Sequence, residues 1–208
     1  VDSASYEPPA RADAPLRSTA QHGLKIVIVG GFGVGKTTLV HSVSEIRPLD
    51  TEAVMTNAGQ WVDDSRSVPE KSTTTVAFDF GRITIDESLV LYLFGAPGQQ
   101  RFWFLWDRLF TGALGAIVLV DPRRIDECWY AVDRLEYERM PFVVACNDFG
   151  GTPRGHAELR HALDLDPHIP LVECDARRRD SGKQVLITLV EHLYSTAQRQ
   201  HATPETAS

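Results

Sequence analysis

Gly30-Gly31-Phe32-Gly33-Val34-Gly35-Lys36-Thr37 carries glycine, lysine and hydroxyl residues at the spacing G-x-x-x-x-G-K-[ST], a phosphate-binding pattern. Glycines let a backbone wrap closely enough for its N–H groups to point at phosphate oxygens. The donors implied are those of Gly31, Gly33, Val34, Gly35, Lys36, Thr37 and Thr38. Lys36 is placed to meet the β- and γ-phosphates, and the Thr37 hydroxyl to hold Mg²⁺. The bland alternative is a glycine-rich turn with a solvated lysine, so the flanks decide. Leu24-Lys25-Ile26-Val27-Ile28-Val29 is an apolar, β-branched run that reads as a buried strand. Thr37 to Val43 reads as a helix start, which turns a helix N-terminus toward a bound anion.

The elements that must hold this loop alternate strand and helix from Leu24 to Gln198, the signature of a doubly wound α/β sheet. Strands are predicted at Val76–Ile85 and Leu89–Phe94, joined as a hairpin through Asp86-Glu87-Ser88. Gly115–Val120 and Phe142–Cys146 suit central parallel strands, and Leu171–Cys174 a weaker last one. Helices are predicted over 36–46, 101–111, 125–138, 156–163 and 182–198, the last with Val185, Leu186, Leu189, Val190, His192 and Leu193 on or near one face. The stretch from Arg47 to Lys71 lacks periodicity and is long for a connection, which favours a functional loop. Residues 1–22, with Pro8, Pro9 and Pro15, read as a disordered N-terminal tail, 23–198 as one nucleotide-binding domain and 199–208 as a disordered C-terminal tail.

The 208 residues suffice for one sizeable core. A net charge of −7 argues against a nucleic-acid partner, which needs a basic face. Cys128, Cys146 and Cys174 are odd in number and lack CxxC spacing, so they read as buried thiols in a reducing, cytoplasmic compartment. No apolar run reaches the roughly 18 residues of a membrane span, and the last residues carry no cysteine for prenylation. Any membrane contact is therefore expected through a partner or the tails. Phe102 to Phe110, with Trp103 and Trp106, is apolar on too many sides for a helix buried along one stripe, and part of it is a candidate partner face.

The phosphate loop, the polar loop, the hairpin and then Gly95-Ala96-Pro97-Gly98-Gln99 together resemble a Ras-like small GTPase. Pro97 to Phe102, Thr75-Val76-Ala77-Phe78-Asp79-Phe80 and Gly112 to Arg124 are similar to bacterial MglA-like polarity GTPases and actinobacterial conservon GTPases. The resemblance covers residues 24–198 and implies a Ras-like, mostly parallel sheet with one antiparallel edge strand. It implies a switch that binds GTP or GDP with Mg²⁺ and reorders around the γ-phosphate. Thr75 is then the switch threonine on Mg²⁺, with Thr73 and Thr74 left open. Gly98 donates to the γ-phosphate, and Gln99 orients the attacking water, so the implied catalytic set is Lys36, Thr75 and Gln99. The arginine that MglA-like members carry before the threonine is Thr74 here, which implies slow hydrolysis completed by a partner. Gly95 stands where Ras-like proteins place the aspartate that fixes a Mg²⁺-bound water, an aspartate that MglA-like members also lack. Roadblock-type regulators and a sensor kinase are the partners implied.

The base-reading end departs from that pattern. In place of Asn-Lys-x-Asp the chain has Asn147-Asp148-Phe149-Gly150, so the carboxylate that accepts from guanine is a glycine. Losing hydrogen bonds to a charged group costs roughly 1.5–3 kcal/mol, about ten- to a hundredfold in affinity. Asp148 is the nearest replacement, although its side chain should point elsewhere. Asp175-Ala176-Arg177 resembles the turn whose alanine N–H reads guanine O6. Three readings follow: a slow GTP-hydrolysing switch, a non-catalytic nucleotide-binding scaffold, and an ATP-using phosphate-loop protein.

Overall fold

The computed structural model describes residues 22–47, 49–56, 73–150 and 155–202. Seven strands form one sheet in the order β2-β3-β4-β1-β5-β6-β7. They are β1 (His22–Val29), β2 (Leu49–Thr56), β3 (Thr73–Thr84), β4 (Leu89–Gly95), β5 (Ala113–Val120), β6 (Phe142–Asn147) and β7 (Leu171–Cys174). β4, β1, β5, β6 and β7 are parallel, and β3 runs antiparallel to both neighbours. The expected antiparallel strand is thus present, with β2 added outside it. β2 lies within 47–71, where sequence alone suggested a loop. A strand paired on one side only, with Asp50 and Glu52 in it, has no apolar run to betray it.

Alternation along the central strands builds two cores. Val27 and Val29 enter one cluster with Ala116, Val118, Val120, Val144 and Leu135. Ile26 and Ile28 enter the other with Ile117, Leu119, Val143, Leu39 and Leu189. Successive side chains on a strand point to opposite faces, so a continuous apolar run serves helices on both sides. Helix α1 (Lys36–Val43) buries Lys36, Leu39, Val40 and Val43, a helical repeat. α1 packs with α5 (Arg179–Ala202) over the second face. α5 runs on to Ala202, past the expected end, and Val190 is exposed while Val185, Leu186 and Leu189 are buried. The first face is covered by α2 (Trp106–Phe110), α3 (Trp129–Tyr137) and α4 (His156–Ala162).

Two predicted helices are split. Gln100–Leu105 and Ile125–Cys128 are 3₁₀ turns that lead into α2 and α3. In the first, Leu105, Trp106, Leu109 and Phe110 are buried and Phe104 is exposed, so packing absorbs most of the apolar surplus. Asp86 closes the β3–β4 hairpin by accepting from Ser88 and Leu89 N–H at 2.7 and 2.9 Å. Glu45 ties the exit of α1 to β3, accepting from Arg82 Nε at 3.0 Å and Thr84 Oγ1 at 2.6 Å. The three cysteines are free, with Cys128 and Cys174 buried and Cys146 half-buried. No helix among the described residues is long and apolar enough to cross a membrane.

Leu135 is fully buried where α3 meets β5 and β6. Truncating it as Leu135→Ala is expected to cost about 2–5 kcal/mol. Urea unfolding should show a lower midpoint with an unchanged slope.

Candidate functional site

At the carboxyl end of β1 the chain leaves the sheet and wraps into the loop Gly30–Gly35 before entering α1. Gly33 and Gly35 take φ of 73° and 99°, which glycine adopts without strain. Lys36 is buried beneath the loop, and its Nζ donates to the carbonyls of Gly30 at 3.0 Å and Gly31 at 2.6 Å. Burial pushes its pKa down to about 8, against the opposing pull of nearby acidic groups that include Asp79 and Glu127. Beside it opens a cleft of about 440 Å³, lined by Lys36, Thr37, Asp79, Gly95, Gly98 and Gln99 among others. Loop, helix N-terminus and two further backbone segments therefore converge on one hollow, at the strand ends where open α/β sheets hold ligands.

Asp79 is the residue that sequence reading missed. It faces Gly95 across the β3–β4 ladder, and its carboxylate receives the Thr37 hydroxyl at Oδ2, 2.7 Å away. A Cβ on residue 95 would lie 2.7 Å from that same oxygen. Gly95 is therefore the space through which a carboxylate on the neighbouring strand reaches the threonine. The signal available in sequence was an aspartate between two phenylalanines in an apolar strand, Phe78-Asp79-Phe80. Strand register, which decides what it faces, was not readable.

Gly98 lies against the Gly31 carbonyl and within reach of Lys36 Nζ, and Gln99 follows at the cleft edge. The segment is held from behind by Trp106, whose indole N–H donates to the Pro97 carbonyl at 3.2 Å. Trp103 stacks on Tyr130 of α3 with ring centroids 3.6 Å apart and planes 3° from parallel. Thr73, Thr74 and Thr75 occupy the start of β3, paired with Thr56, Met55 and Val54. Their side chains lie outside the described residues. A second hollow on the outer side of the loop brings Arg124 and Glu127 to Gly31 and Phe32, two further residues that sequence reading did not single out.

The far end is organised by Asn147. Its Nδ2 donates to the Val34 carbonyl at 2.9 Å, and its Oδ1 accepts the Ala176 N–H at 2.9 Å. Thus Asn147 joins the phosphate loop to the turn after β7, while the Ala176 N–H is already engaged. Asp148 does not turn toward the Gly35–Ala176 side. Its Oδ1 accepts the Gly150 N–H at 2.7 Å, in a turn where Gly150 has φ of 79°. Asp175 is bound to Arg177 by Nε–Oδ1 at 2.7 Å and Nη2–Oδ2 at 3.0 Å, which holds its carboxyl below the usual carboxylate range. The predicted residues thus fall into two groups. Gly31, Gly33, Val34, Gly35, Lys36, Thr37, Thr38, Gly98 and Gln99 surround the loop, whereas Asp148, Asp175 and Arg177 are occupied with local partners.

Comparison with known proteins agrees with the strand–loop–helix core. A family profile described as "Conserved hypothetical ATP binding protein" matches residues 28–196. An uncharacterized protein of Methanocaldococcus jannaschii is 29% identical over 126 residues, 60% of this chain and 69% of its own length. Among solved structures, the FeoB G-domain from Methanococcus jannaschii superposes with a TM-score of 0.55 at 12% identity, covering 83% of this chain and 98% of that one. At that identity the likeness speaks for the fold, a P-loop NTPase-like mixed sheet.

Lys36 supplies the pH signature of this cleft. Seating a phosphate on it should restore its charge, so binding at pH 8 is expected to take up on the order of half a proton. Uptake should vanish well below pH 8 and approach one above it, with affinity falling as pH rises. Calorimetry in buffers of different ionisation heat measures this directly. Separately, Asn147→Ala leaves the Val34 carbonyl and Ala176 N–H without their partner. It is expected to cost about 1–3 kcal/mol in thermal or urea stability.

Proposed function

The chain belongs to the family of conserved hypothetical ATP binding proteins, phosphate-loop nucleotide-binding proteins by fold, and from that premise we propose that it is a nucleotide switch that binds GTP with Mg²⁺ and hydrolyses it slowly. One observation carries the proposal. Lys36 Nζ donates to the Gly31 carbonyl, and Gly98 passes so close to both that a side chain there would clash, so an anion taken up by Lys36 would change that contact directly beside the Gly98–Gln99 segment. A bound γ-phosphate would then reposition Gly98, whose N–H would donate to it, and Gln99, which would orient the water. Trp106 and Trp103 would carry that movement into α2 and α3.

The donor set fits Mg²⁺. Thr37 offers a hydroxyl and Asp79 a carboxylate to the same point at the cleft edge, oxygen ligands of the kind a hard dication takes alongside phosphate oxygens. Asp79 would act as the carboxylate absent at Gly95, and Thr75 remains the candidate from the switch loop. Thr37, Asp79 and Thr75 would hold the ion, whose chemistry there would be neutralisation of the phosphate charge. Lys36 would hold the β- and γ-phosphates, and the N–H groups from Gly31 to Thr38 would line the cradle. The reading implies regulators of the roadblock type and a cytoplasmic location, reached at the membrane only through such partners.

A second reading, ATP use, is favoured by the base-reading end. Asp148 is folded onto Gly150 and the Ala176 N–H is bonded to Asn147, so no described carboxylate stands ready to accept from guanine. The family description also names ATP. Titration calorimetry with GDP, GTP, ADP and ATP in Mg²⁺ separates the two. GTP binding tighter than ATP is expected, and equal or tighter ATP binding would transfer the proposal to adenine nucleotides. Asp79→Asn is expected to weaken Mg²⁺-dependent binding by about tenfold or more while leaving metal-free diphosphate binding within about threefold. Gln99→Leu is expected to lower turnover by about 10²-fold or more with little change in affinity.

A further inference from the structure

We infer that Arg124 is a catalytic residue supplied by the chain itself, swinging from the rim of the phosphate loop onto the γ-phosphate during hydrolysis. The inference rests on the nucleotide-switch reading above. Arg124 follows β5, the strand between β1 and β6. Its Nη2 donates to the Phe32 carbonyl at 3.2 Å and lies 3.9 Å from where a Cβ on Gly33 would be. The guanidinium therefore sits across the tip of the loop. It lines an outer hollow of about 430 Å³ together with Gly31, Phe32, Gly98, Gln99 and Tyr130. Gln99, the water-orienting candidate, also lines the phosphate cleft, as do Phe32 and Gly98, so these three residues separate the arginine's hollow from the cleft. Among the described residues that line these two hollows, Lys36 and Arg124 are the only cations.

The arginine is also held in a way that lets it leave. Buried Asp121 is satisfied by Arg123, which donates from Nε at 2.9 Å, Nη2 at 2.7 Å and the backbone N–H at 3.0 Å. Arg124 adds only the longer contacts to Asp121, from Nε at 3.3 Å and Nη2 at 3.4 Å. Its short bond, 2.8 Å, runs from Nη1 to Oε1 of half-buried Glu127, whose Oε2 is buried without a partner, and its own side chain is 42% exposed. Nη2 can thus exchange one carbonyl and one long ion pair for a phosphate oxygen without leaving Asp121 unpaired. Charge-assisted donation to phosphate is the stronger bond.

In the reaction, water oxygen bonds to the γ-phosphorus while the bond from that phosphorus to the bridging oxygen breaks. The electron pair leaves on the diphosphate, and the water protons pass to the phosphate product and solvent. Negative charge grows on the bridging and equatorial oxygens, where an arginine N–H acts. The competing role for Arg124 is a strut that only braces Phe32. A strut would affect nucleotide affinity and loop stability, whereas a finger affects the rate.

The test uses the full chain with Arg124→Ala and Arg124→Lys. Three quantities are read with Mg²⁺ and both purine nucleotides: single-turnover hydrolysis, diphosphate affinity by calorimetry, and aluminium-fluoride-dependent trapping of the diphosphate. The expected result is a rate loss of about 10³-fold or more in both variants, since lysine lacks the forked donors. Diphosphate affinity should stay within about threefold, and trapping should be lost. A rate within about threefold of the unaltered chain, or a parallel fall in rate and diphosphate affinity, would overturn the inference and leave the switch reading standing. Absence of hydrolysis and trapping in the unaltered chain with every nucleotide would overturn the reading beneath it, and the finger with it.

Discussion

The site depends on a carboxylate that crosses from one strand to the next. Asp79 reaches past Gly95 to take the Thr37 hydroxyl, and that bond joins the antiparallel β3 to the phosphate loop's helix. Without a side chain at residue 95 the contact has room, and without Asp79 that space would be empty. A single hydrogen bond of this sort contributes only about 1–3 kcal/mol when one partner is charged. Its weight lies in position. It places an acidic oxygen and a hydroxyl at the same point of a cleft whose other wall is a buried lysine.

The phosphate half and the base half of the cleft are built differently. Around the phosphates, Lys36, the loop and Gly98 crowd one another, so an entering anion changes several contacts together. At the other end, Asn147, Asp148, Asp175 and Arg177 each hydrogen-bond their own neighbours. Among the described residues, the groups with room to change partners therefore lie mainly at the phosphate loop. A complete phosphate loop thus stands beside a base-reading end whose described polar groups are engaged with one another.

The sequence made the loop, the apolar strands β1, β5 and β6, and the β3–β4 hairpin legible, because each has a local signature: glycines at fixed spacing, β-branched runs, an Asp-Glu-Ser turn. β2 was not, since an edge strand needs only half the apolar pattern and Asp50 and Glu52 break it. The split of the aromatic segment into a 3₁₀ turn and α2 follows tertiary packing, with Trp106 anchored to Pro97 and Trp103 on Tyr130. Asp79 and Arg124 stood in plain view as residues. Their contacts arise from register and from loop approach through space, which no spacing rule records. The engagement of the Ala176 N–H by Asn147 is of the same kind, a contact between residues far apart in the chain.

A switch differs from a nucleotide store in what the γ-phosphate does to the Gly98–Trp106 segment. Hydrogen–deuterium exchange over residues 96–106 in Mg²⁺, with diphosphate against a non-hydrolysable triphosphate analogue, measures that difference directly. The account predicts that the phosphate loop is protected by both ligands and that 96–106 gains protection with the triphosphate alone. Equal exchange of 96–106 in the two complexes would contradict it.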